Sequence, residues 1–521
     1  MGVFIYMHVS KTITDEEWLP FYEEASLMAK KFGLYDIRER EFYGRKIFCA
    51  VPVEEYEERG CRVWCASGDL KTMHNAEAFY MPRDFSKWVG ATEREEMVDA
   101  LLAVTGDSLY SEIKDYARWN NQLWGLWFNK TQGERYHMYL LAIACVAAEH
   151  FGNRVYIHGD ITKGQCRAAA KLAGECLGRE IPLPDNCDAE RLCCRIEKLP
   201  LAEEDKVRIF FRTYLGDKEC RECRDILQEH FSDGMRKYWN AKFGGARSIN
   251  YDFMDTVRIF LSMEYGLEEL CENLSWHEEA SKDIVEQFVR YIMETELYKE
   301  EKNCKDRLVV DCEEEEPYSI YIQMAQCFFG MARNKRIDRY IPMAEIERLL
   351  QYYYGGVCDV KSIIADTVKK ESEDTPADRM NQFIDEKESE LVEMEENYDI
   401  WWPEAFPCYK SGDSIEPGMK EKLEHFFHHY EELRGIEETY VNLKEKTAEE
   451  KCGFLIEYNR SLLLTEKEWR MILGRIEEDE DRFARYYPMV RVNITNTERE
   501  MLVRSLVLND ELWKYCEENF R

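Results

Sequence analysis

The sequence predicts an α+β protein: a small N-terminal mixed α/β domain with a mainly antiparallel sheet, followed by a large, mostly α-helical multi-unit body. Three observations carry this. Short β-rich apolar runs crowd residues 1–90, helical periodicity dominates from residue 91 onward, and threonine-led capping boxes mark helix starts along the chain. A single core rarely grows beyond ~250–300 residues, so the 521-residue chain is expected to divide. The expected units are 1–90 (α+β), 91–312 (mainly helical, with a strand-helix element at 153–178), 313–400 (helical, with an acidic linker) and 401–521 (helical).

Taken in order, residues 3–9 form an apolar strand. Thr14 and Glu17 then stand at capping-box spacing, and Trp18, Phe21, Tyr22, Ala25, Met28, Ala29 and Phe32 fall on one helical face. Runs at 37–43 and 46–51 flank Gly44-Arg45 and read as a hairpin, with glycine supplying the positive φ. Residues 62–67 and the pair Phe79 and Tyr80 are further strands. A capping box at Thr92 to Glu95 opens the helical part, where Trp119, Trp124, Trp127 and Phe128 are expected as helical core.

A helix over 136–150 leads into the clearest strand-to-helix junction in the chain. Residues 154–157 are the strand, Gly159 breaks it, and Thr162 with Gln165 caps the next helix. Pro182 and Pro184 enforce an extended connector. Helices follow near Ala189, near Asp205 with a glycine stop at Leu215-Gly216, over 284–293, and over 343–353 with Gly355-Gly356 as terminator. Cys312 and the acidic run Glu313 to Glu316 read as a surface loop, and 371–399 as an acidic helix or linker. Trp401 and Trp402 sit in a proline-broken connector before a last set of helices, with boxes at Thr447, Thr465 and Thr497.

The formal net charge of −33 and the absence of a long basic run argue against charge-driven nucleic-acid or membrane-surface binding. The apolar run at 139–148 is about half the roughly 20 residues a membrane span requires. Nineteen scattered cysteines and an N-terminus without a secretory pattern point to a reducing, cytoplasmic setting, of bacterial type.

Candidate chemistry is sparse. At 153–165 a glycine turn feeds a helix start, where free amides and the dipole favour an anion. His158, Gly159, Asp160, Thr162 and Lys163 are the candidate ligand-binding residues, although Gln165 and Cys166 replace the lysine and hydroxyl residue of a phosphate loop. Cys220 and Cys223 have the spacing of half a zinc site, with His230 beyond and no second pair. His425 and His429 are one helical turn apart, but Phe426 stands where a zincin carries glutamate. Acidic runs at 313–316 and 477–481 lack the glycine of a calcium loop.

No hydrolase elbow, kinase or deaminase signature is present, so catalytic residues are unassigned and no cofactor is predicted. The expectation is therefore a protein-interaction component, a scaffold, adaptor or regulatory subunit whose partners are other proteins. Trp401 and Trp402 are its candidate docking residues. The alternative is an enzyme or a nucleotide or small-anion sensor with its pocket at 153–165.

Overall fold

The structure is a computed structural model. It describes residues 2–91, 97–106, 121–274, 276, 282–300, 312–317, 337, 339–370, 408–415, 417–435, 443–460, 462–491 and 497–521. An N-terminal antiparallel sheet region precedes a mostly helical body, and every strand of the described residues lies before residue 160. The chain divides into two compact units that interleave along the sequence: Met1–Met28, Arg83–Gly133 and His137–Glu386 form one, and Ala29–Pro82, Glu134–Tyr136 and Lys387–Arg521 the other.

In the first unit β1 (Phe4–Ser10) is the centre of a three-stranded sheet. Its other members, β7 (Leu123–Lys130) and β8 (Val155–Gly159), both run antiparallel to it. Alternation places Ile5, Met7 and Val9 on the buried face and leaves Phe4, Tyr6 and His8 on the other, only partly covered.

Residues 123–130, expected to be helical, form a strand instead. The β1–β7 register shifts between Met7↔Trp127 and His8↔Gly125, so Leu126 is the extra residue of a β-bulge. That bulge buries Leu126 and Trp127 consecutively and breaks the period-2 pattern a strand would display. Trp124 and Phe128 are not core: they are 39% and 60% exposed. Trp119 and the Thr92 box lie outside the described residues.

Around this sheet, α1 (Asp15–Lys31) starts at the Thr14 box, with Thr14 N donating to Glu17 at 3.0 Å and Glu17 N to Thr14 Oγ1 at 3.2 Å. Trp18 stacks on Phe85 of the short α2 (Phe85–Val89), ring centres 4.2 Å apart. Helix α3 (Tyr136–Phe151) is apolar all round, and Leu140, Leu141, Ile143, Cys145 and Val146 are fully buried, as the interior helix of a domain should be. Among the described residues no helix is long and apolar enough to cross a membrane.

Next come α4 (Lys163–Leu177), the extended prolyl connector, α5 (Ala189–Ile196) and α6 (Glu203–Thr213). The last stops at Thr213 rather than Gly216, because Tyr214 turns extended and Leu215 N donates to Asn186 O at 2.8 Å. The body is completed by α7 (Arg221–Gly244), α8 (Tyr251–Ser262), α9 (Leu267–Asn273), α10 (Lys282–Glu294), α11 (Met343–Tyr354) and α12 (Val360–Lys370). One continuous apolar core joins them, with Leu227, Trp239, Phe260, Phe288 and Leu350 at its heart.

The second unit holds a five-stranded antiparallel sheet: β2 (Leu34–Phe42), β3 (Arg45–Pro52), β4 (Tyr56–Glu58), β5 (Cys61–Asp69) and β6 (Asn75–Pro82). The predicted hairpin exists one residue earlier than read. Its two-residue loop is Tyr43-Gly44, both at positive φ, closed by Phe42↔Arg45. Among the described residues the unit also holds α13 (Pro417–Arg434), α14 (Ala448–Glu457), α15 (Glu466–Glu478), α16 (Asp481–Arg491), α17 (Thr497–Leu508) and α18 (Asp510–Phe520). Ile47, Cys49 and Val51 of β3 share a core with Leu423, Phe427, Trp469, Leu473 and Trp513. The boxes at Thr447 and Thr465 are both formed.

Candidate functional site

The predicted junction exists with the expected elements, and most of its polar groups are already partnered, although the buried His158 Nε2 has no hydrogen-bond partner among the described residues. Gly159 ends β8 at φ +123°, a conformation side chains resist, and a Cβ there would lie 2.5 Å from Phe4 O. The close approach lets Asp160 close the sheet: its amide donates to Phe4 O at 3.0 Å, and its Oδ2 accepts from Phe4 N at 2.8 Å. The carboxylate therefore finishes a strand ladder.

His158 lies in an aromatic stack, 4.7 Å from Tyr6, 4.8 Å from Tyr156 and 5.2 Å from His8, ring centre to ring centre. Burial pushes its imidazole down to about 3, with His8 and Arg212 adding repulsion, so it is neutral in this fold.

At the start of α4 the reciprocal capping box is complete. Gln165 N donates to Thr162 Oγ1 at 3.0 Å, and Thr162 N to Gln165 Oε1 at 3.2 Å. The remaining polar groups are answered by a segment far along the chain. Gly164 N donates to Cys312 O at 2.8 Å, the Thr162 hydroxyl to Glu314 O, and Gln165 Nε2 to Glu316 O at 2.6 Å. Residues 312–317, which contain the acidic run, thus lie as a strap across the helix N-terminus.

Gly164 makes the approach possible, since a Cβ there would be 2.1 Å from Glu313 O and 2.4 Å from Glu314 O. Lys163 reaches Glu313 at 3.7 Å, while Arg167 pairs with Glu313 and, at 3.6 Å, with Glu315. These ion pairs are exposed, and such pairs contribute ~0–1 kcal/mol each. The main-chain bonds and the bare glycine fix where the strap lies, and the ion pairs together add to its hold. Chemically the arrangement holds carbonyls and carboxylates against a helix start and two cations.

Two cavities open at the other end of β8, about 190 Å³ and about 820 Å³ in volume, sharing Asp185, Arg191 and Arg195 in their walls. Arg195 is nearly buried and grips Asp99 at 2.7 Å, Asp185 at 3.4 Å, and the carbonyls of Asn153 and Val155 at 3.0 and 3.2 Å. Arg191 bonds Asp185 at 2.6 Å and Leu183 O at 3.0 Å. The sequence reading missed these residues. The available signal was the i,i+4 arginine pair on a helix begun by Asp188, whose carboxylate accepts from Arg191 N.

The cysteine pair does not gather ligands. Cys223 is buried in the helical core, where desolvation drives its thiol far up, and Cys220 sits at the α7 N-cap with Sγ 3.6 Å from Asp217 O. His230 turns toward α5 instead. His425, His428 and His429 are exposed along α13, while Trp401 and Trp402 lie outside the described residues. No protein family, no curated protein and no solved structure matches this chain.

Proposed function

We propose that the chain is an interaction component, a regulatory or adaptor subunit, that recognises an acidic peptide at the N-terminus of α4, a place its own residues 312–317 hold in cis. The observation that carries this reading is the seating of the strap. Three polar groups of the helix start bond its main-chain carbonyls, Gly164 clears the path, and two cations meet its carboxylates. Main-chain bonds supply affinity and flanking charges supply selection, as in other modes of peptide capture. Most cysteines of the described residues are buried as small apolar side chains, which fits a reducing, cytoplasmic setting.

A labelled peptide with the sequence of residues 312–317 tests the reading by fluorescence anisotropy. A tethered strap competes at an effective concentration on the order of millimolar. A chain carrying Glu313→Lys and Glu315→Lys should therefore take up the peptide at least tenfold more tightly than the wild type. Equal binding to the two would sink the reading.

The neighbouring cavity of about 820 Å³ favours a second one, a small-anion sensor. Its guanidiniums already face carboxylates, which ranks it lower. Inorganic phosphate binding to the loosened chain without peptide binding would reverse that order.

A further inference from the structure

Outside the junction, one cluster brings together three different metal-ligating atoms. Glu190 and Cys194, one turn apart on α5, meet His230 of α7, and their ligand atoms all lie within 4.8 Å of one another. His230 Nε2 is 3.0 Å from Glu190 Oε1, and Cys194 Sγ is 3.9 Å from that same oxygen. A four-coordinate zinc with bonds of ~2.0–2.3 Å separates its ligands by roughly 3.3–3.7 Å. The observed distances bracket that range.

The histidine is held for the task. Phe231 departs from helical geometry at φ −138° and ψ 47°, and this kink in α7 directly follows His230. Its other nitrogen, Nδ1, lies 2.9 Å from Glu197 Oε1. A carboxylate behind a ligating imidazole fixes its tautomer and ring direction, directing the free lone pair of Nε2 to the metal. Without a metal, both nitrogens face carboxylates and only a doubly protonated ring satisfies them. A cation between Nε2, Oε1 and Sγ does the work of that second proton.

We propose that Glu190, Cys194 and His230 bind one divalent transition-metal ion of the zinc class, with Glu197 as the positioning residue. Imidazole and thiolate donors select zinc-like ions over calcium and magnesium. Glu190 and Cys194 also line the cavity of about 820 Å³, together with Asn153, Lys198 and Leu199. A fourth position therefore opens toward a space able to admit water or a small ligand, the arrangement of three-ligand rather than closed structural sites.

Cobalt(II) titration of the chelator-treated full chain, under reducing anaerobic conditions, tests this. One equivalent should bind, with a thiolate-to-cobalt charge-transfer band and the intense ligand-field absorption of a four-coordinate ion. Cys194→Ser, at an exposed position, should lose the charge-transfer band, whereas Cys220→Ser should keep it. Glu197→Gln should retain the band but weaken binding on the order of tenfold or more. A band that survives Cys194→Ser, or no stoichiometric cobalt uptake by the wild type, would overturn the assignment and leave a protonated histidine between two carboxylates.

Discussion

Gly164 shows how one missing side chain sets the character of the junction. A glycine inside a helix ordinarily costs about 1 kcal/mol relative to alanine, so Gly→Ala should stabilise wherever space permits. At Gly474 of α15 nothing lies within 4 Å of an added Cβ, and Gly474→Ala should raise stability by about that amount in thermal unfolding. At Gly164 the same change drives a methyl into the strap backbone. Gly164→Ala should destabilise, by roughly 1–3 kcal/mol as overpacking does; a stabilising result would mean the strap is not seated there. The opposite signs of one substitution in two helices make a stringent pair. Asp160 belongs at this scale too: Asp160→Ala removes the acceptor of Phe4 N and should cost on the order of 1 kcal/mol in denaturant unfolding, whatever ligand is present.

At the scale of elements, legibility followed locality. The boxes at Thr14, Thr162, Thr447 and Thr465 were readable because each closes within four residues. The junction strand was readable for the same reason. β7 was not, since its bulge exists only relative to β1, and the strap was not, since Thr162 and Glu314 are 152 positions apart. His230 likewise finds its partners on another helix rather than beside Cys220 and Cys223.

The three-stranded sheet and helix α3 also carry an acid sensitivity that no local pattern reveals. Burial lowers His8 and His137 to about 4 and His158 to about 3, from an ordinary 6.5. The folded state then binds fewer protons than the unfolded chain. Stability is full above pH 6.5 and drains as pH falls through that window toward 4. His137, fully buried with Nδ1 2.7 Å from Thr131 Oγ1, is the cleanest probe. Urea unfolding of His137→Asn should show a shallower loss between pH 6.5 and 4 than the wild type; an unchanged slope would remove the histidine from the account.

For the whole molecule, the strands of the first ninety residues serve two sheets. β1 needs β7 and β8 on either side, while β3 buries Ile47, Cys49 and Val51 against helices from beyond residue 400. Sequence order alone carries no sign of this partition, because pairing partners are set by tertiary contact. A fragment of residues 1–90 should therefore fail to fold alone, giving poorly dispersed amide resonances and no cooperative melt. A cooperative melt would show that the interleaving is dispensable. The acidity legible in composition, a net charge of −33, acquires a local meaning at the strap. There the chain's negative segments are met by Lys163, Arg167 and a helix start.

The central claim, that the strap occupies the α4 N-terminus, is tested most directly by amide hydrogen exchange at Gly164 in glycine-labelled protein. A first-turn amide has no partner within its own helix and exchanges quickly; here it donates to Cys312 O at 2.8 Å. The account predicts slow exchange in the wild type, lost when Glu313→Lys and Glu315→Lys loosen the strap and regained on adding the acidic peptide. Solvent-rate exchange at Gly164 in the wild type would contradict it.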